Sequence, residues 1–138
     1  MYQYHGWAVI SQSVDDEIND KEDHKVLLKV QNYISQMKDN INIIEVKAIN
    51  GQYHFLITGF SNHKILSKYN PITILRRIGE IAPGSYGILY VYDDEDEVYF
   101  NEFRVYVLTR GYLAEKQDPF LSPLIPTIAN RSEFDSEN

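Results

Sequence analysis

Four histidines, two dense acidic runs, one glycine-serine turn and eleven tyrosines are the side chains of this 138-residue sequence with chemistry to offer. Paired histidines bind zinc when their spacing brings two imidazoles to one face. His5 and His54 fall in strand-like segments, His24 in a helical one and His63 in a loop, with no His-Glu-x-x-His and no other two-histidine helical spacing. Hydrolysis by paired carboxylates needs one acid in an apolar setting that raises its pKa. Asp93, Asp94, Glu95, Asp96 and Glu97 are the opposite, adjacent and mutually repelling, and they lack the Asp-x-Asp-x-Asp-Gly pattern and distal Glu of a calcium loop. Gly84-Ser85-Tyr86-Gly87 resembles a nucleophile turn, but it follows a helix and enters a strand, the reverse of the order such a turn requires. A helix C-cap and a tight turn are the expected roles of its glycines. Zero Cys excludes thiol catalysis, disulfides and thiolate zinc sites, and no phosphate loop or dinucleotide-binding glycine pattern occurs. No enzyme activity, metal or cofactor is expected.

The charges are more informative. Thirteen Lys and Arg face twenty Asp and Glu, for a formal net charge of -7. Asp15, Asp16, Glu17, Asp20, Glu22 and Asp23 put six acids into nine residues, and 93–97 is five in a row. No Lys or Arg falls between Ile78 and Phe103. The net sign argues against direct nucleic-acid binding. No apolar run approaches the ~20 residues that span a bilayer, and the N-terminus lacks a signal-peptide pattern, so a cytoplasmic protein is expected. Two acidic runs in one small chain suit a surface built for a basic partner. Tyr86, Tyr90, Tyr92, Tyr99, Tyr106 and Tyr112 lie in or beside the strands flanking the second run. Tyrosine supplies interface area at low entropic cost. Trp7 is expected as a core anchor. Arg104 and Arg110 share a strand face with Tyr106 and Leu108, and their guanidinium groups are expected to pair with acids on neighbouring strands or to serve binding.

Elements must position these groups. Residues 2–11 alternate as a strand whose two faces are both largely apolar. A helix over 19–38 is predicted from Leu27, Val30, Ile34 and Met37, with acids crowding its positive end. Residues 43–49 and 53–60 read as a hairpin across Asn50-Gly51, the strongest short turn signal. Asn70-Pro71 caps a helix whose stripe is Ile74, Leu75, Ile78 and Ile81, stopped by Pro83-Gly84. Strands at 86–92 and 102–109 flank the acidic turn. From Asp118, Pro119, Pro123 and Pro126 predict an extended tail laid over the body. The class is α+β, a two-layer sandwich with two helices on one face of a mainly antiparallel sheet, in the order β-α-β-β-α-β-β. That is ferredoxin-like order plus one strand. One domain over 1–130 and a flexible polar tail over 131–138 are expected.

Several stretches are similar to one known family. They are Tyr-x-Tyr-His-Gly-Trp from Tyr2, Ile-Ala-Pro-Gly-Ser-Tyr-Gly-Ile-Leu-Tyr from Ile81, Asp-Asp-Glu-Asp from Asp93, Asn-Glu-Phe-Arg-Val from Asn101 and Asp-Pro-Phe-Leu-Ser-Pro-x-Ile-Pro from Asp118. Together they resemble the immunity protein 7 family, over nearly the whole chain. The resemblance implies an α+β protein, encoded beside a bacterial polymorphic toxin, that neutralises the toxin's C-terminal domain, often a nuclease, by tight binding. The family pattern identifies no contact residues. The acid and tyrosine distribution nominates Asp93, Asp94, Glu95, Asp96 and Glu97, with Tyr92 and Tyr99 beside them, and Asp15, Asp16 and Asp20 as a second patch. A monomer or weak dimer is expected. The alternative is a regulatory domain binding a small molecule or metal, for which such sandwiches are a common chassis.

Overall fold

The computed structural model describes residues 1–13 and 20–129. Alternation in the first segment produces β1 (Tyr2–Ile10), whose Tyr2, Tyr4 and Ala8 turn inward. Next come α1 (Asp20–Ser35), β2 (Ile43–Ile49), β3 (Gln52–Ser61), α2 (Pro71–Ile81) and β4 (Tyr86–Asp93). β5 (Arg104–Thr109), β6 (Tyr112–Gln117) and the one-turn α3 (Leu124–Thr127) complete the chain. The strands form one sheet in the order β2-β3-β1-β4-β5-β6, and every neighbouring pair is antiparallel. The protein is therefore α+β, with α1 and α2 covering one sheet face.

Both helices arise from their apolar stripes. Leu27, Val30 and Ile34 of α1 are buried, and Met37 is buried just beyond its end. The helix stops at Ser35, earlier than the stripe predicts, and residues 36–40 continue as tight turns in which Met37 N–H donates to Ile34 O at 2.9 Å. The predicted start at Asn19 lies outside the described residues. In α2, Asn70 Oδ1 accepts from Ile72 N–H at 2.9 Å, Pro71 occupies the first turn, and Ala82 N–H closes the far end on Ile78 O. Asn70 also reaches into the sheet, donating through Nδ2 to Ile65 O at 2.7 Å and to the Tyr2 hydroxyl at 3.2 Å. Ile74, Leu75 and Ile78 pack with Tyr4, Phe55, Ile57, Leu89 and Leu108 in the core. Each such side chain contributes about 1.5–3 kcal/mol through burial.

One close approach sets the sheet's geometry. Gly59 of β3 lies opposite Tyr4, and a Cβ there would fall 2.2 Å from the Tyr4 hydroxyl oxygen. The missing side chain is what lets the Tyr4 ring lie flat over β3.

The sequence pattern predicts one strand after β4, whereas two are present. Arg110 and Gly111 adopt φ of 51° and 74° and connect β5 to β6 with the same two-residue geometry that Asn50 (51°) and Gly51 (82°) give the first hairpin. Arg-Gly is a weaker signal than Asn-Gly because arginine resists positive φ. β6 is also polar, as an edge strand that must discourage further pairing tends to be. The proline-rich segment is not wholly extended either. It contains α3 and is clamped by side-chain bonds described below. The polar residues expected to form a tail over 131–138 lie outside the described residues.

Candidate functional site

The acidic run occupies the loop between β4 and β5, and its residues divide into two jobs. Asp93 and Asp96 build the loop. Asp93 Oδ1 accepts from Glu95 N–H at 3.0 Å, and Asp96 Oδ1 accepts from Val98 N–H at 2.9 Å and Tyr99 N–H at 2.8 Å. Those turns are the local alternative to a strand that short acidic side chains offer the backbone. The bonds from Tyr99 and Val98 N–H hold the Asp96 carboxyl below its usual range. The other three face outward. Asp94 Oδ1 sits 2.5 Å from the N-terminal ammonium, Glu95 Oε1 sits 2.5 Å from His63 Nδ1, and Glu97 makes no ion pair among the described residues. Asp94 and Glu95 keep 42% and 53% of their side-chain surface in water. The run thus has a structural role that its sequence does not display, and still leaves three carboxylates presented to solvent.

The two tyrosines nominated as shoulders lie on opposite sides of the sheet. Tyr92 is opposite Gln3 on the face without helices, where its ring meets Phe103 at 5.7 Å between centroids. Burial raises its pKa, reinforced by Asp94 and Asp93. Tyr99 lies over the Arg104 guanidinium at 3.9 Å, and Arg104 shares the helix-bearing face with Val91 and Tyr106. Arg104 donates to Glu102 at 2.7 Å and to Glu115 of β6 at 3.0 Å, the cross-strand pairing expected of it, whereas Arg110 lies in the β5–β6 turn and makes no such ion pair among the described residues. Desolvation opposes its charge, but the bonds to Glu115 and Glu102 outweigh that and raise its pKa. Burial and Glu115 push the neighbouring Tyr106 up to about 12. These groups, with Lys64 and Asp96, line a cavity of about 130 Å³.

The loop is held from its far side by the proline-rich segment. Leu124 N–H donates to Asn101 O, Ile125 N–H to Asn101 Oδ1, and Asn101 Nδ2 to Ile125 O. Phe103 N–H donates to Ser122 Oγ at 2.9 Å, and buried Asp118 accepts from Phe120 N–H, Leu121 N–H and Ser122 Oγ. The acidic loop is consequently a fixed shape.

Asp15 and Asp16 lie outside the described residues, and Asp20 is the first residue of α1. Ser85 is no nucleophile: it is buried, accepts from Ser11 N–H at 3.0 Å and donates to Ser11 O. Among the described residues no three of His, Asp and Glu converge as metal ligands, and no helix is long and apolar enough to cross a membrane.

Sequence reasoning misplaces Trp7. Alternation that sends Tyr2, Tyr4 and Ala8 into the core sends Trp7 to the other face, where it is 42% exposed. It meets Tyr86 edge-on at 6.4 Å, and His5 meets Phe60 likewise at 6.0 Å. The available signal is that both faces of β1 are apolar while only two long helices exist to cover a sheet.

These features define a small α+β protein with a rigid acidic loop and an aromatic sheet face, a class equipped for binding. The family model described as Immunity protein 7 matches residues 1–130, and the chain belongs to that family. Membership implies an immunity protein, whose partner is a cognate toxin protein. No curated protein and no solved structure matches the chain.

Proposed function

We propose that this protein is a cytoplasmic antitoxin that binds the C-terminal domain of a toxin encoded beside it, a nuclease, and occludes that domain's basic substrate groove. The observation that carries this reading, beyond family membership, is the fixed loop presenting Asp94, Glu95 and Glu97 outward next to an aromatic strand. A nuclease needs a cationic groove to hold phosphates. Carboxylates held on a rigid loop meet such a groove without an ordering cost, and their field accelerates encounter. Aromatic anchors then slow release. Occlusion requires no catalysis. Asp15, Asp16 and Asp20, the second acidic run of the sequence, add further negative charge for such a partner.

Co-expression is the test. Cells producing the toxin domain survive when this protein is co-produced, and the two co-purify as a one-to-one complex. Undiminished killing with both proteins present refutes the proposal.

A further inference from the structure

The helix-free face of the sheet has an anatomy of its own. On β3, β1, β4 and β5 it presents no Asp, Glu, Lys or Arg. Its charged groups, Glu45, Lys47 and Lys116, are confined to the outer strands β2 and β6. The centre is aromatic: Trp7 stands against Tyr86, His5 against Phe60, and Tyr90 against Phe103. Phe60 and Tyr86 are 53% and 46% exposed. Phe103 and Val105 on its β5 side are buried, and Gln3, His5, His54 and Thr58 add polar atoms, but among the described residues Trp7, Phe60 and Tyr86 stay exposed as an aromatic centre. Such a centre with a charged margin is how protein interfaces are built.

We propose that this face, centred on Trp7, is the anchoring core of the toxin interface, with the acidic loop as its charged rim. The inference rests on the immunity reading above and adds where the partner sits. The occupant is a protein surface with an apolar centre and basic surroundings. Continuity argues for it. β4 carries Tyr86, Ile88, Tyr90 and Tyr92 along this face and then runs directly into Asp93 and the loop. Size argues for it as well. Six strands at about 4.8 Å spacing, with strands roughly 25 Å long, give a face of about 700 Å². A standard interface needs about 800 Å² from each partner, which the face reaches only with the adjoining loop. Charge argues against a second copy as occupant, because each chain carries -7 and its own acidic rim.

Trp7 is the sole tryptophan, so it reports on this face directly. The chain labelled with 5-fluorotryptophan is mixed with an active-site-inactivated form of the toxin domain encoded beside it, and fluorine NMR and acrylamide quenching are read. The expected result is a Trp7 signal accessible in the dilute free chain, then shifted and protected at least fivefold in the complex. Trp7→Ser should weaken binding roughly thirtyfold or more, mainly through faster dissociation, without loss of the folded state. Arg77→Ala on α2 should leave binding unchanged. A complex in which Trp7 stays fully accessible overturns the inference and leaves the immunity reading standing. Protection in the free chain also overturns it: if concentration-dependent the occupant is a second copy, and if concentration-independent it is the chain's own residues. No complex at all overturns the immunity reading, and this inference with it.

Discussion

Converting the five loop acids to their amides, Asp93→Asn, Asp94→Asn, Glu95→Gln, Asp96→Asn and Glu97→Gln, separates the loop's charge from its shape. Both turn-forming acids act through Oδ1, an acceptor that asparagine keeps, so the bonds from Glu95, Val98 and Tyr99 N–H survive. The ion pairs that are lost, to the N-terminus and His63, are exposed and screened by water, so they contribute little, and removing mutual repulsion offsets part of their loss. Stability should therefore change by no more than about 1 kcal/mol. The formal net charge moves from -7 to -2. Electrostatic steering spans roughly two to three decades of association rate at low salt. Losing most of the net charge, from the loop itself, should slow association with the toxin domain by about 30- to 100-fold at ~20 mM salt. At ~0.5 M salt, where screening lengths fall to about 4–5 Å, the difference should shrink below about threefold. Dissociation should change by less than about threefold. Stopped-flow association and surface-based dissociation measurements across a salt series provide the assay. Equal association rates at low salt, or a loss carried by dissociation, would refute the rim role assigned to the loop.

Three further outcomes concern the scaffold. Gly59→Ala should displace the buried Tyr4 ring and destabilise the protein by about 1–3 kcal/mol in denaturant melts, since the added Cβ meets the Tyr4 hydroxyl. Asn70→Ala should cost about 1–3 kcal/mol by removing the α2 cap and two donations, whereas Asn70→Asp restores the cap alone and should recover only part of it. Burial lowers the pKa of His5, so the folded state disfavours its protonated form. That contribution is complete above about pH 6.5 and is lost as pH falls through the lowered folded value; His5→Gln should flatten this part of a stability–pH profile.

Helix stripes and the Asn-Gly hairpin were legible because they are local: burial of Leu27, Val30, Ile34, Ile74, Leu75 and Ile78 follows from spacing alone. β6 was not, because Arg110-Gly111 hides a hairpin behind a residue that resists positive φ, and because Tyr112–Gln117 is polar at the sheet edge. The proline-rich segment escaped for a different reason. Its shape combines local turns that Asp118 closes with Leu121 and Ser122 and long-range bonds, from Asn101 to Ile125 and from Phe103 N–H to Ser122, that no local pattern encodes. The acidic run was visible as charge, but its division into turn-building Asp93 and Asp96 and outward-facing Asp94, Glu95 and Glu97 needs the backbone. Tyr92 and Tyr99 illustrate the same limit. Tyr92 follows the alternation of β4, but the irregular loop beyond it breaks that pattern, so the side taken by Tyr99 needs the backbone.

The account stands most directly on a stoichiometric titration. The purified cognate toxin domain, proposed to be a nuclease encoded beside this chain, is held at a concentration well above nanomolar and assayed on nucleic acid while the protein is added in increments. Activity should fall linearly and reach zero at one equivalent. Full nuclease activity at a tenfold excess of the protein would contradict the central claim.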